Sequence, residues 1–468
     1  MLFNTLSFLL AFSIIFVLYW SISSGNYLSK KIFLLFVSYI LYINFNPSFS
    51  LILLSVTLIT YIGGYVFEKY PNRRVLLLFV FLILSIFPLF IFKYYNFINH
   101  IIFKCLSIIG LRFSLPGLNW AIPIGISFYT FQAVGYMLDV YYGRINKENS
   151  ILDYSLFVSF FPQIVSGPIS KASELLPQIK APHPFDYDQA LNGFRFFLWG
   201  LFLKVSIANR TGIYVDHVFN GFEHYSGLGC ILASFMYSIQ IYSDFAGYSL
   251  MAVGVGKLLG FELINNFRRP YFSVSITDFW HRWHISLSRW LKDYVYIPLG
   301  GSHCSRINNY WNIFVTFLVS GIWHGANWTF IIWGIIHGGC QIIEKILGWN
   351  KIEYKGLKRG LRIVFTFIVI TLAWVIFRSP SISEACKFMW HYFSRTGMII
   401  PAGDNNLWYI VICLIPFTIY EFLMEFAMPM YNRLSGITFI RWMTYFIISC
   451  MILLFGVLDG STFIYANF

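Results

Sequence analysis

His324 stands in Gly321-Ile322-Trp323-His324-Gly325-Ala326-Asn327-Trp328, inside the apolar run 314–336. An ionisable side chain at membrane depth costs a few kcal/mol or more to place there, so it marks a point where something reacts or passes. Imidazole is well suited to take a proton from a hydroxyl near neutral pH, which makes this ring a general base for an attacking alcohol. Gly325 beside it leaves room for close approach of a ligand or another helix, and Asn327, one turn on, is placed to fix the ring's tautomer. The competing reading is a histidine hydrogen-bonded across two helices. Burial and context together weigh toward function.

The other ionisable groups weigh differently. His284 lies upstream in a basic, tryptophan-rich stretch where an interfacial histidine is cheap to hold, so working and structural readings balance. His281 and His337 read as structural and His303 as a loop residue. Asp139 and Asp244 both follow apolar runs, and pairing that stabilises the fold is the simpler reading of each. No Gly-x-Ser-x-Gly elbow signals a serine nucleophile, and Gly254, Gly256 and Gly260 lack the Lys-Ser or Lys-Thr of a phosphate loop. The 7 cysteines are scattered without paired spacing, so neither a metal site nor a disulfide framework is expected. No permanently bound cofactor is expected either.

The elements that must position these residues are membrane helices. With 58% hydrophobic, 21% aromatic and 11% charged residues, the chain is too apolar for a soluble globular protein, whose charged share is about a quarter. Apolar stretches near the ~20 residues a bilayer requires recur throughout, roughly eleven in all. They cover 5–20, 32–45, 51–67, 75–92, 121–137, 196–207, 231–246, 314–336, 364–377, 408–423 and 442–458. The expectation is one all-α polytopic membrane domain over 1–468, with no internal repeat. The first run lacks a basic lead and a cleavage site, so it reads as a retained span rather than a secretory signal. The net charge of +13 sits in short connections between runs. That is the positive-inside pattern, and it argues against nucleic acid as a partner. Lys30 and Lys31 follow the first span and Lys69, Arg73 and Arg74 the third, while the turn 44–48 carries no basic residue. This places the amino terminus outside the cytoplasm.

Three regions fit neither span nor ordinary loop. Phe160-Phe161-Pro162-Gln163-Ile164-Val165-Ser166-Gly167-Pro168 reads as a re-entrant element lining a cavity, because irregular backbone at that depth survives only where protein or trapped water satisfies it. Residues 278–294 place Trp280, Trp283, Leu287, Trp290 and Tyr294 along one stripe, with His281, His284, Arg282, Arg289 and Lys292 on the other faces. That spacing predicts one amphipathic interfacial helix, its tryptophans at headgroup level and its basic groups wet. The carboxyl end, 459–468, is short and aromatic, and such an end should fray unless it docks back onto the protein.

The motifs Phe279-Trp280-His281-Arg282-Trp283-His284-Ile285-Ser286-Leu287-Ser288 and Trp323-His324-Gly325-Ala326-Asn327-Trp328 together resemble the membrane-bound O-acyltransferases. The likeness is to the bacterial alginate and peptidoglycan O-acetylation branch and, more distantly, to the teichoic acid D-alanylation proteins. Supporting stretches are Pro123-Ile124-Gly125-Ile126-Ser127, Phe161-Pro162-Gln163 and Gln240-Ile241-Tyr242 with Asp244-Phe245, so the motif-bearing core covers about 121–378, followed by the carboxyl-terminal spans and tail over 400–468. The resemblance implies helices around a central funnel or tunnel, with His324 catalytic and His284 its partner. Trp323, Trp283, Asn327, Asp244 and Gln240 then support them. It further implies a multi-pass protein of the cytoplasmic membrane that takes an acyl group from a cytoplasmic thioester such as acetyl-CoA. The acyl group passes to a periplasmic partner of the SGNH hydrolase type. The terminal Phe463-Ile464-Tyr465-Ala466-Asn467-Phe468 is similar to an aromatic ending of this branch, which makes Tyr465 an acyl relay by analogy. Leu250 stands where the family commonly has aspartate, and Ala466-Asn467 replaces a more usual aromatic-glutamine pair.

The expected activity is therefore transfer of an acyl group, most simply acetyl, toward an extracytoplasmic glycan. A transporter or flippase with a buried His/Asp proton path explains the buried charges equally well. It does not explain the paired Trp-His motifs. A scaffold that only recruits a periplasmic enzyme would tolerate loss of both His284 and His324.

Overall fold

The computed structural model describes residues 3–23, 25–111, 115–349, 352–400 and 406–458, and among them the regular structure is helical. Six helices there are long and apolar enough to cross a membrane: Pro47–Lys69, Pro71–Ile108, Tyr187–Asn220, Gly356–Arg378, Asn406–Phe426 and Thr438–Phe455. The remaining expected spans are shorter or more polar, Leu6–Ser21 among them. Large apolar side chains of both groups face outward, Leu10, Ile83, Phe365 and Leu453 for example. In lipid that surface is at equilibrium with its solvent and needs no protein cover.

At the centre stands Gly227–Leu258, a 32-residue helix buried along most of its length. It packs on Tyr187–Phe202 through glycines: a Cβ on Gly200 would meet the Gly247 carbonyl oxygen at 2.6 Å, and one on Gly254 the Gly193 oxygen at 2.6 Å. Without a hydrophobic drive between helices in lipid, such small-residue contacts are what bring two backbones together. Beyond Phe202 the helix widens into a π-helical turn, Leu203–Ala208, which aims Lys204 at Asp244 on the central helix.

Two sequence expectations change here. The run 314–336 is not one span but a hairpin, Arg306–His324 and Trp328–Ile346, turning at Gly325–Asn327. A Cβ on Gly321 would meet the Phe330 oxygen at 2.4 Å, so the hairpin arms touch backbone to backbone. Hydropathy alone is blind to this break because the run on either side of it is mostly apolar. The stretch 278–294 is likewise not one interfacial helix. It forms Ile276–Arg282 and Ile285–Leu291, then a π-helical turn Lys292–Tyr296, with a break at Trp283-His284. His284 adopts a left-handed backbone conformation, φ +43°. That costs a side-chain-bearing residue about 1–2 kcal/mol and stops a helix at that point. The break turns Trp283 and His284 into the protein interior and leaves His281 and Lys292 exposed.

The element 160–168 is buried, with one helical turn at Phe161–Ile164. Two of its polar groups are met internally: Ser38 Oγ accepts from the Phe161 amide at 3.2 Å, and Gln163 Nε2 donates to the Pro168 carbonyl at 2.9 Å. It packs as a plug. Neither cavity described below is lined by 160–168; the smaller one draws on its neighbours Ile169 to Lys171.

Candidate active site

The helix breaks bring the two motif histidines to one place. His324 closes the Arg306–His324 helix, and His284 sits at the kink of the second motif. Both are buried, at 2% and 0% exposure. Trp323 lies between them, 4.9 Å from the His324 ring and 5.9 Å from the His284 ring, centroid to centroid. Trp333 at 4.9 Å and Phe377 at 5.4 Å complete the His324 surround, while Phe245 at 4.6 Å and Phe128 at 6.2 Å flank His284. Neither ring faces lipid.

Asn266 holds the kink. Its carbonyl oxygen accepts from the Ile285 amide at 2.9 Å and its Oδ1 from the Ser286 amide at 3.0 Å. The same Oδ1 lies 3.4 Å from His284 Nδ1. A left-handed residue persists only when its surroundings over-determine it, and Asn266 supplies that constraint.

Two cavities approach this pair from opposite faces. The larger, about 850 Å³, is lined in part by Lys204, Asn209, Tyr237, Gln240, Asp244 and Arg378. The smaller, about 10 Å³, is a crevice among Phe131, Gln132, Ser170, Ser286, Arg289 and Trp290. Neither has His284 or His324 in its lining. On the cavity side Phe245 and Phe377, next in sequence to Asp244 and Arg378, stand in front of the rings. On the crevice side the barrier is Phe131 stacked on Trp290 at 3.9 Å, with Phe131 also 5.5 Å from Trp323. Phe245, Phe377 and Phe131 thus link the surround of the histidines to the segments that line the two cavities. The crevice end of the Ile126–Tyr141 helix meets Arg74, whose Nη2 donates to the Val140 carbonyl at 3.0 Å. It therefore shares a face with the basic connection 69–74. The Tyr187–Asn220 helix starts near His183, whose carbonyl accepts from Lys30 at 3.4 Å, and ends at Asn220 in the larger cavity, which lies at the far face.

The remaining sequence-predicted residues take definite places. Asp244 forms a buried ion pair with Lys204, and Asp139 pairs with Arg144 at 3.1 Å. Gln240 lines the larger cavity. Trp283 packs on Trp374 at 5.0 Å, behind the site. Asn327 caps the Trp328–Ile346 helix: its Oδ1 accepts from the Thr329 amide at 3.1 Å and its Nδ2 donates to the Pro380 carbonyl at 2.9 Å. Its amide is committed to the turn rather than to the His324 tautomer, because the extended Gly325 swings it away. His337 accepts from Trp280 Nε1 at 3.2 Å, in the middle of the Trp328–Ile346 helix. Tyr465 lies outside the described residues. The described chain leads toward the larger cavity, for Asn209 on its wall donates to the Val457 carbonyl at 2.7 Å.

Sequence reasoning missed Lys93 and Tyr94, which reach the backbone beside His324 from the Arg74–Ile108 helix. The apolar run ends at Phe92, so Lys93 passed as a span boundary. The helical spacing of Phe90, Tyr94 and Phe97 beyond it was the available signal.

Comparison with known proteins gives the family. Residues 141–378 match the membrane-bound O-acyltransferase family. The chain is 38% identical over 400 residues to a probable alginate O-acetylase of Pseudomonas syringae pv. tomato, covering 84% of this chain and 75% of that one. It is 34% identical over 424 residues to a peptidoglycan O-acetyltransferase of Helicobacter pylori, covering 83% and 79%. With a teichoic acid D-alanyltransferase of Bacillus subtilis it shares 31% over 305 residues, covering 63% and 74%. A chain with this helical membrane fold, these two histidine motifs and this extent of likeness is an acyltransferase enzyme that belongs to the membrane-bound O-acyltransferase family.

Proposed function

We propose that this enzyme passes an acyl group, acetyl in the simplest case, from a cytoplasmic thioester across the membrane for O-acetylation of an extracytoplasmic polysaccharide or peptidoglycan. One observation carries the reading: two histidines share Trp323 in a buried aromatic enclosure, and the segments around it line two separate cavities. The alginate and peptidoglycan names of the relatives support the glycan class. The crevice shares its face with Arg74, so under the positive-inside rule the donor enters there and the amino terminus lies outside.

In the reaction the acceptor hydroxyl attacks the thioester carbonyl carbon. A carbon–oxygen bond forms and the carbon–sulfur bond breaks. His324 takes the hydroxyl proton and returns it to the departing thiolate, which leaves as a thiol. His284 positions or polarises the donor. The enclosing rings exclude water, which would otherwise hydrolyse the thioester. The first acceptor is the Tyr465 hydroxyl at the chain's end, and a periplasmic SGNH-type partner carries the group on to the glycan.

Full-length protein in lipid, given labelled acetyl-CoA and its acceptor, tests this. His324→Ala is expected to lose transfer while keeping its thermal unfolding midpoint; unchanged turnover overturns the role of His324. An acetyl adduct on Tyr465 in wild type, absent from His324→Ala, is expected by mass spectrometry. A transporter would give no such adduct.

A further inference from the structure

The last turn of any helix leaves carbonyl oxygens without intrahelical partners, and inside a membrane no bulk water satisfies them. The Arg306–His324 helix ends at His324, with Gly325 extended. Two of its terminal carbonyls are met from another helix: Lys93 Nζ donates to the Trp323 oxygen at 2.7 Å and Tyr94 Oη to the Ile322 oxygen at 2.6 Å. The helix carrying them, Arg74–Ile108, is otherwise mostly turned to lipid, with 17% of its apolar window buried. Lys93 also lies 5.8 Å from the Trp323 ring centre, and Phe97, one turn on, packs on Trp328 at 5.7 Å across the same hairpin turn. A cation at membrane depth is expensive, and a positive charge is most favourable at a helix carboxyl end. The lysine is where both conditions are best met.

We propose that Lys93 and Tyr94 are positioning residues that clamp the end of the His324 helix and hold the imidazole within the Trp323–Trp333–Phe377 enclosure. This rests on the reading of His324 as the catalytic base. Lys93 acts through the backbone: its bond ends on the carbonyl joined directly to the His324 amide, so release of that carbonyl frees the turn and lets the ring leave its attack geometry. A misplacement of about 1 Å is enough to cost ~10²-fold in rate.

The test uses full-length protein in lipid. ¹⁵N-histidine solid-state spectra are recorded for wild type, Lys93→Met, Lys93→Arg and Tyr94→Phe, with the His324 ring signal identified by its loss in His324→Ala. The His324 signal is expected to move and broaden in Lys93→Met and in Tyr94→Phe, and to return toward wild type in Lys93→Arg, which keeps a charged donor. In parallel, kcat for acetyl transfer should fall ~10²-fold in Lys93→Met, with KM for acetyl-CoA within about twofold, and recover in Lys93→Arg. An unmoved His324 signal in Lys93→Met, or no recovery in Lys93→Arg, overturns the clamp. If Lys93→Met fails to fold, Tyr94→Phe decides by the same signal. Absence of transfer in wild type would count against the reading of His324 and leave the spectral test standing.

Discussion

Asn327 illustrates how one residue's job follows from where its two amide ends point. Its Oδ1 holds the Thr329 amide and its Nδ2 the Pro380 carbonyl, so it fastens the turn after His324 to the segment following Arg378. Loss of an N-cap costs about 1 kcal/mol, and serine is as good a cap as asparagine. Asn327→Ala should therefore lower stability by about 1 kcal/mol in a thermal or denaturant melt, while Asn327→Ser restores it and keeps acyl transfer. A stable but inactive Asn327→Ser would instead point to direct contact with the reacting groups.

At the scale of elements, the broken second motif and the Ile126–Tyr141 helix form the door of the crevice. Trp290 stacks on Phe131 and also donates through Nε1 to the Phe131 carbonyl at 2.8 Å, which fixes the stack in register. Ser286, two residues beyond His284, lines the crevice beside the stack and is itself buried. In a cysteine-depleted background, a Ser286→Cys thiol should be protected from a membrane-impermeant reagent applied at the basic face. Adding Trp290→Ala should expose it, with at least a tenfold faster labelling rate, since about 1.4 kcal/mol of lost stacking and hydrogen bonding changes an opening equilibrium tenfold. Equal labelling with and without Trp290 would show that the stack is not the barrier.

For the whole molecule, the Lys204–Asp244 pair joins the π-helical turn to the central helix at the floor of the larger cavity. Both side chains are 2% exposed. A buried pair is a weak net stabiliser, yet removing one partner strands the other charge and costs about 3–5 kcal/mol. Asp244→Asn alone should destabilise the protein by that order, and Lys204→Met with Asp244→Leu should recover most of it, as read from unfolding midpoints in detergent. If both forms melt alike, the pair is not coupled, and the cavity floor must be held by the glycine crossings at Gly200 and Gly247.

Composition and hydropathy were enough to establish an all-helical membrane protein, because bilayer solvation allows few other structures and demands long apolar runs. His324 stood out as well, as a costly residue in its setting, whereas His284, cheap at the interface expected for it, was singled out only by the motif resemblance. What hydropathy missed is where helices stop. The breaks at Trp283-His284 and at Gly325–Asn327 arise from a left-handed residue held by Asn266 and from a cap tied to Pro380, both contacts between segments distant in the chain. Those breaks put His284 inside rather than at the wet interface, and His324 at a helix end rather than mid-span. Lys93 gained a place beside His324 for the same reason: a carbonyl freed by a helix end is a partner that exists only once the chain has folded.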